Sequence, residues 1–417
     1  MYKSFSMELA GRTLTVDVGR VAAQANGAAF MHYGETTVLS TATASEKPRE
    51  GIDFFPLSVE YEEKMYAVGK MPGGFLRREG RPGNSAILNA RLIDRPIRPL
   101  FDKRCRNDIH VMATVLSVDY DNAPELCGML GASASLGISD IPWDGPIAGV
   151  RVGRVDGKFV INPTQEQLKV STLSITVAGS ETAILMVEGG AQEAPEEDVL
   201  DAIMFGHETI KELVAFQKKI IEEVGKPKRT LIFPEIPEEI KTAIYAYAER
   251  PLKEAIFNPD KLTREAHMEE VRKEAEAHFK EIYPENGSDI AECLNHLTKE
   301  IVRHMISVDK IRPDGRALDE IRPISCEVGL LPRVHGSALF TRGQTQALTI
   351  TTLAPMSETQ IIDDLTQETE KRYIHQYNFP SYSVGETKSS RGPGRREIGH
   401  GAVSYTHLRA HETPEHL

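Results

Sequence analysis

Polar and apolar positions alternate through residues 10–44, where Leu14, Val16 and Val18 interleave with Thr13, Thr15 and Asp17. A period of two sends successive side chains to opposite faces, so this stretch predicts a meander of short, half-buried strands. Gly27 and Gly34 punctuate the next strands, and the β-branched run at 36–43 adds another. Residues 85–92 predict a helix that Pro96 and Pro99 end. The run 127–139 holds only small and apolar side chains. We expect a helix packed tightly on a sheet there, with a phosphate-cradling helix start as the alternative. Strand patterns follow at 148–155, 159–161 and 173–187, with Asp156-Gly157 as a hairpin turn. Residues 195–224 predict a long amphipathic helix whose opening acids Glu196, Glu197 and Asp198 suit a helix N-terminus.

The pattern then changes. Prolines at 227, 234 and 237 mark a linker, and 238–308 is charged and helical, with helices expected at about 238–257, 262–282 and 289–307. Ser288 is the expected N-cap of the last. His267, His278, His296 and His304 fall in this insert without metal-site spacing, so each is expected on the surface or in the core. After it the chain begins again: 336–348 repeats the glycine and threonine spacing of 27–39, and Tyr382-Ser383-Val384-Gly385 echoes Tyr66-Ala67-Val68-Gly69. Arg395-Arg396-Glu397 echoes Arg77-Arg78-Glu79. Three matches in one order predict a duplicated domain with the arginine pair at the same place in each copy. The fold class is α/β (α+β): two related cores joined by an all-helical domain.

Charge changes this picture at one place. The 417 residues carry a formal charge of -12, yet from Arg77 to Arg106 nine basic residues face three acidic ones. Arginine dominates, and a planar guanidinium can hold a phosphate with two hydrogen bonds. Gly73, Gly74 and Gly80 let the loop turn, and Phe75 offers a face on which a base can stack. Phe75, Arg77, Arg78 and Arg81 are therefore candidates for gripping a nucleic-acid backbone, while Arg91, Arg95 and Arg98 are expected on one helical face, paired with Asp94 and other carboxylates. His400 beside Arg396 could contact phosphate or move a proton, or cap its loop. The four cysteines lie far apart, without a zinc or disulfide pattern. With no apolar leader in the first residues and no apolar run of membrane length, we expect a soluble cytoplasmic protein and no membrane partner.

Ile311-Arg312-Pro313-Asp314-Gly315-Arg316 followed by Arg322-Pro323 resembles the opening of an RNase PH-type domain (ribosomal protein S5 domain 2-like). Residues 73–82 and 91–101 resemble the first core of the polynucleotide phosphorylase family, and 377–387 with 395–401 its second core. The resemblance covers about residues 8–402. It implies a first core at 1–225, an all-helical domain at 226–308 and a truncated second core at 309–402, with an unrelated tail at 403–417. It further implies a 3′-to-5′ exoribonuclease and nucleotidyltransferase acting in mRNA degradation. Such an enzyme uses inorganic phosphate as co-substrate and Mg2+ as cofactor, and releases nucleoside diphosphates from single-stranded RNA. A ring-shaped homotrimer and a place in an RNA-degradation assembly go with it. In that family the loop matching 75–81 lines the RNA channel, and the residues matching Arg395, Arg396 and His400 lie beside the phosphorolytic centre.

The family's phosphate-binding loop and metal-holding carboxylates find no match here, so no metal ligand is assigned. We expect an amino-terminal piece that is inactive alone. A non-catalytic RNA-binding ring subunit is the alternative, and an RNA-independent scaffold a third reading.

Overall fold

A computed structural model describes residues 2–49, 51–52, 54–231, 236–366, 369–387, 389 and 392–409, with the side chains of 404–409 excepted. Part of the expected linker (232–235) and residues 410–417 of the expected tail lie outside the described residues. The chain forms two compact units, Met1–Phe233 with Thr359–Leu417, and Pro234–Glu358. Residues 309–358, expected in the second core, thus group with the helices.

In the first unit the alternating pattern becomes β1 (Lys3–Leu9), β2 (Arg12–Val18), β3 (Gly27–Tyr33) and β4 (Thr36–Pro48). With β5 (Leu57–Glu62) and β6 (Asn107–Ser117) they form one sheet in the order β1-β2-β3-β4-β6-β5, antiparallel except for the β5–β6 pair. Helix α1 (Asn84–Ile97) continues past the expected end at 92 and contains Pro96. The proline sits in the last turn, where a 3-10 turn at Arg98–Leu100 follows, so the ring ends the helix only after its own residue.

Helix α2 (Pro124–Ile138) is buried at every residue from Leu126 to Ile138. It packs on β3, β4 and β6, and also on β7 (Ala148–Val155) and α4 (Glu196–Val224). This is the packed helix expected, and small residues allow it. A Cβ on Gly131 would lie 2.4 Å from Ser40 Oγ, and one on Gly27 only 2.0 Å from the Ser135 carbonyl oxygen. The phosphate-cradling alternative is overturned, because the helix starts earlier and its serines are bound internally. Ser133 Oγ accepts from the Ile147 N–H at 2.9 Å, and Ser135 Oγ donates to the Ala132 carbonyl at 2.9 Å.

Asp156 (φ 49) and Gly157 (φ 76) form the tight turn between β7 and β8 (Lys158–Ile161). The short helix α3 (Gln165–Val170) follows, and the expected strand at 173–187 is two, β9 (Leu173–Gly179) and β10 (Ile184–Ala191). The second sheet runs β10-β9-β7-β8.

The second unit opens with α5 (Glu238–Ile256), α6 (Lys261–Ile282) and α7 (Gly287–Ser307) around their own core of Ile244, Leu252, Phe279, Leu294 and Leu297. Asn286 precedes α7, which places Ser288 inside the first turn instead of at the cap. His278 stacks on Tyr247 at 4.7 Å, while His296 and His304 lie 3.8 Å from Glu292 and 3.5 Å from Asp309. Strands β11 (Ile324–Val328), β12 (Gly336–Arg342) and β13 (Thr345–Thr351) complete this unit, with most of their residues exposed. The first unit then resumes with β14 (Gln360–Ile362), β15 (Thr369–Lys371) and α8 (Arg395–Arg409).

The repeat is structural. Tyr33 pairs with Thr36 across Gly34 (φ 58), and Arg342 with Thr345 across Gly343 (φ 61). The 3-10 turn Met65–Val68 ends on Gly69 (φ 70, ψ 17), and Ser381–Val384 ends on Gly385 (φ 71, ψ 15). The arginine pairs do not follow this correspondence. Arg77 and Arg78 lie in the loop ahead of α1, whereas Arg395 and Arg396 form the first turn of α8. Counted from the two helix starts, Arg395 and Arg396 stand where the first copy has Asn84 and Ser85.

Leu365 is buried in the first unit's core, and the neighbouring Asp363 pairs with Lys70 at 2.7 Å. Beside this anchor, Glu63 accepts a hydrogen bond from Ser85 Oγ at 3.1 Å. Burial, reinforced by the charges of Asp364 and Glu125, pushes the Glu63 carboxyl up to about 7. The native state therefore holds this proton more tightly than the unfolded chain. Its contribution is complete below about pH 4.5 and fades as pH rises through about 7. Glu63→Gln is expected to flatten that decline by about 2 kcal/mol, kept below full conversion because the group is only partly buried. Urea midpoints at pH 5 and pH 8 measure it, and parallel slopes for both proteins would contradict the assignment. No described helix is long and apolar enough to cross a membrane.

Candidate nucleic-acid interface

The loop between the 3-10 turn and α1 is shaped by two left-handed residues, Gly74 (φ 77) and Arg77 (φ 48). The Arg77 N–H donates to the Gly74 carbonyl at 3.4 Å, and at the loop's base Glu79 accepts from the Met65 N–H at 3.2 Å. This turn projects Phe75 fully into solvent, with a relative exposure of 101%, and Leu76 follows at 82%. An apolar pair held out of the core is ready to meet a partner face. Arg77, Arg78 and Arg81 are exposed, and their guanidinium groups make no hydrogen bond or ion pair with the described residues. Three uncompensated positive charges beside an open aromatic ring suit a flexible polyanion with stackable bases.

The later arginines behave as expected, with one exception. Arg98 pairs with Asp94 at 2.8 Å and donates to the Leu57 carbonyl at 3.1 Å, and Arg95 pairs with Glu188. Arg91 makes no ion pair with the described residues. It lies against α8 instead, where a Cβ on Gly399 would come within 2.8 Å of its Nε.

The first turn of α8 carries the second set. Arg395 donates to the Val59 carbonyl at 2.6 Å and lies 3.6 Å from Glu60 Oε1, while His110 approaches the other oxygen of Glu60 at 3.4 Å. Because β5 is the last strand of its sheet, Arg395 covers a carbonyl that the ladder leaves open. Arg396 and His400, four residues apart, share a helical face. Arg396 stands 5.8 Å from the Phe379 ring, and the His400 ring lies 4.2 Å from Tyr377. So the structure gathers Phe75, Arg77, Arg78 and Arg81 on one loop, and Arg395, Arg396 and His400 on one helix. Sequence reasoning missed the Glu60 contact and the approach of Arg91 to Gly399. Both depend on α8 packing against α1 and β5, which no local pattern announces.

Among the described residues, no group of three or more His, Cys, Asp or Glu side chains could hold a metal ion. The described residues thus offer no ligand set for the Mg2+ that the resemblance implies.

A family model described as "3′ exoribonuclease family, domain 1" matches residues 10–142 and again 320–412. The chain belongs to the 3′ exoribonuclease family. Domain 2 of the same family matches 145–209, and "Polyribonucleotide nucleotidyltransferase, RNA binding domain" matches 239–317. The double match to domain 1 agrees with the duplicated hairpins. It runs to residue 412, ten residues past the expected limit of the resemblance at 402.

Among relatives of this exoribonuclease-family chain, the polyribonucleotide nucleotidyltransferase of Heliobacterium modesticaldum is 59% identical over 96% of the chain and 56% of the relative. That of Syntrophomonas wolfei is 59% identical over 96% and 57%. The chain thus spans little more than half the length of these curated relatives. The crystal structure of rice Rrp46 aligns with a TM-score of 0.40 at 14% identity, covering 53% of this chain and 94% of that one.

Proposed function

We propose that this chain is the amino-terminal part of a polyribonucleotide nucleotidyltransferase, which shortens single-stranded RNA from its 3′ end by phosphorolysis and releases nucleoside diphosphates. The observation that carries the reading is the loop with Phe75 exposed and Arg77, Arg78 and Arg81 unpaired among the described residues, in a chain of this family. Such a loop grips backbone and stacks bases without reading base edges, as a non-specific nuclease requires.

In phosphorolysis two anions must meet, because phosphate attacks a phosphodiester. Guanidinium groups that offset the accumulating charge lower that barrier. Arg396 is the candidate for this work, with His400 on the same face to hold phosphate or a proton. Arg91, close to α8 and without an ion pair among the described residues, adds positive charge there. A ring-shaped homotrimer in a cytoplasmic RNA-degradation assembly is part of the same proposal.

A second reading has support of its own. Arg395 is engaged by Val59 and Glu60, which suits a chain that binds RNA without cutting it. Incubation of the 417-residue chain with poly(A), phosphate and Mg2+ is expected to show salt-sensitive binding without ADP release, while a full-length relative releases ADP. Turnover by this chain alone would refute its assignment as an inactive piece. Absence of RNA binding would remove both readings in favour of a scaffold.

A further inference from the structure

The stretch Ile311–Arg316, which opens the second copy, has no part in the loop or in α8. Its backbone makes a turn in which the Gly315 N–H donates to the Arg312 carbonyl at 2.8 Å, with Pro313 second and Gly315 (φ 81) last. The turn is tied to the helices of its unit, since the Asn258 N–H donates to the Pro313 carbonyl at 3.1 Å and the Ile311 N–H to the Met305 carbonyl at 3.0 Å. Against it lies an open cavity of about 310 Å³, lined by Arg264, Arg312, Arg316 and Arg322 with Asp314 as its one acid.

The way these arginines are held matters. Arg312 donates to the Glu320 carbonyl at 3.0 Å and to the Leu318 carbonyl, and Arg264 to the Asn258 carbonyl at 2.6 Å. Arg316 donates to the Glu320 carbonyl at 2.7 Å and to Asp314 at 2.9 Å, and Arg322 lies 3.6 Å from Asp314. A carbonyl orients a guanidinium but does not neutralise it. Four positive charges therefore face one negative charge, in a chain whose overall charge is -12. Burial would push the Asp314 carboxyl up, yet hydrogen bonds from Arg316 and the charges of Arg316 and Arg322 hold it below its ordinary value.

We propose that this cavity is a phosphate-binding site, in which Arg322 and Arg264, the latter held by a single carbonyl bond, grip the phosphate, while Arg312 and Arg316, each fixed by two hydrogen bonds, line its wall. The phosphate can belong to an RNA strand or to a free nucleoside diphosphate, since both present the same group to a guanidinium. The proposal is independent of the Phe75 loop.

The test uses the 417-residue chain, a labelled oligoadenylate titrated at several salt concentrations, and ADP titrated by calorimetry. For the strand, Arg264→Gln with Arg322→Gln is expected to lower the slope of log affinity against log salt by about 1.4, two contacts at about 0.7 each. A loss confined to the oligoadenylate assigns the site to the strand. A drop of about tenfold confined to ADP assigns it to the free nucleotide. Lysine at both positions is expected to recover most of the slope. If the double variant unfolds, Arg264→Gln alone, which gives up one carbonyl bond, is read for half the effect. Unchanged binding of both ligands by a folded variant overturns the site. An Arg77, Arg78 and Arg81 variant run in parallel shows whether the loop reading survives that result.

Discussion

Alanine at Arg77, Arg78 and Arg81 together is expected to lower the salt slope of single-stranded RNA binding by about 2, from three phosphate contacts at about 0.7 each. Affinity at low salt should fall by about 10- to 100-fold. The melting midpoint should barely move, because these side chains are exposed and bind no described residue. Phe75→Ala should act differently. Stacking contributes about 1–3 kcal/mol per base and does not depend on counterion release, so affinity should drop while the slope stays. Fluorescence anisotropy over 50–300 mM salt separates the two outcomes. If neither variant weakens binding, the loop is not the RNA grip.

The second large effect concerns stability and has a control within the chain. Gly27 and Gly336 open the equivalent strands β3 and β12. A Cβ at Gly27 meets the Ser135 carbonyl oxygen at 2.0 Å, and that backbone atom belongs to the buried helix α2. At Gly336 the nearest atom is the Thr351 Cβ at 3.5 Å, an ordinary contact. Gly27→Ala should therefore destabilise the chain by about 3 kcal/mol, the upper range for overpacking where the obstacle cannot rotate away. Gly336→Ala should change stability by less than about 0.5 kcal/mol. Chemical denaturation of the two variants decides it, and equal costs would contradict the packing described.

The hairpins of both copies were legible because their turns need a residue at positive φ, and glycine at Gly34 and Gly343 records that need in the sequence. The packing of α2 was legible from its run of small residues, since only such a run lets a helix approach on all sides. The arginine triplets misled for the opposite reason. A short string of letters repeats without regard to where a helix starts, and Gly83 and Gly394 set those starts. The tie from Arg395 to Val59 and Glu60 was not legible, because it needs the order of strands in a sheet. The pocket of Arg264, Arg312, Arg316 and Arg322 escaped too, since its members lie up to 58 positions apart (322 − 264).

The first unit is discontinuous, and this bears on how the chain emerges during synthesis. About 125 residues, 234 to 358, separate its two parts. Arg395 lies 162 positions beyond the end of the first part (395 − 233), so at about 5–20 residues per second roughly 8–32 s pass before it is made. Until then the outer margin of β5, including the Val59 carbonyl, waits without its arginine, and an open strand margin invites pairing with another nascent chain. The interrupting helices, contiguous and locally connected, can mature first. Newly made chains on crowded polysomes are thus most exposed to clumping during that interval.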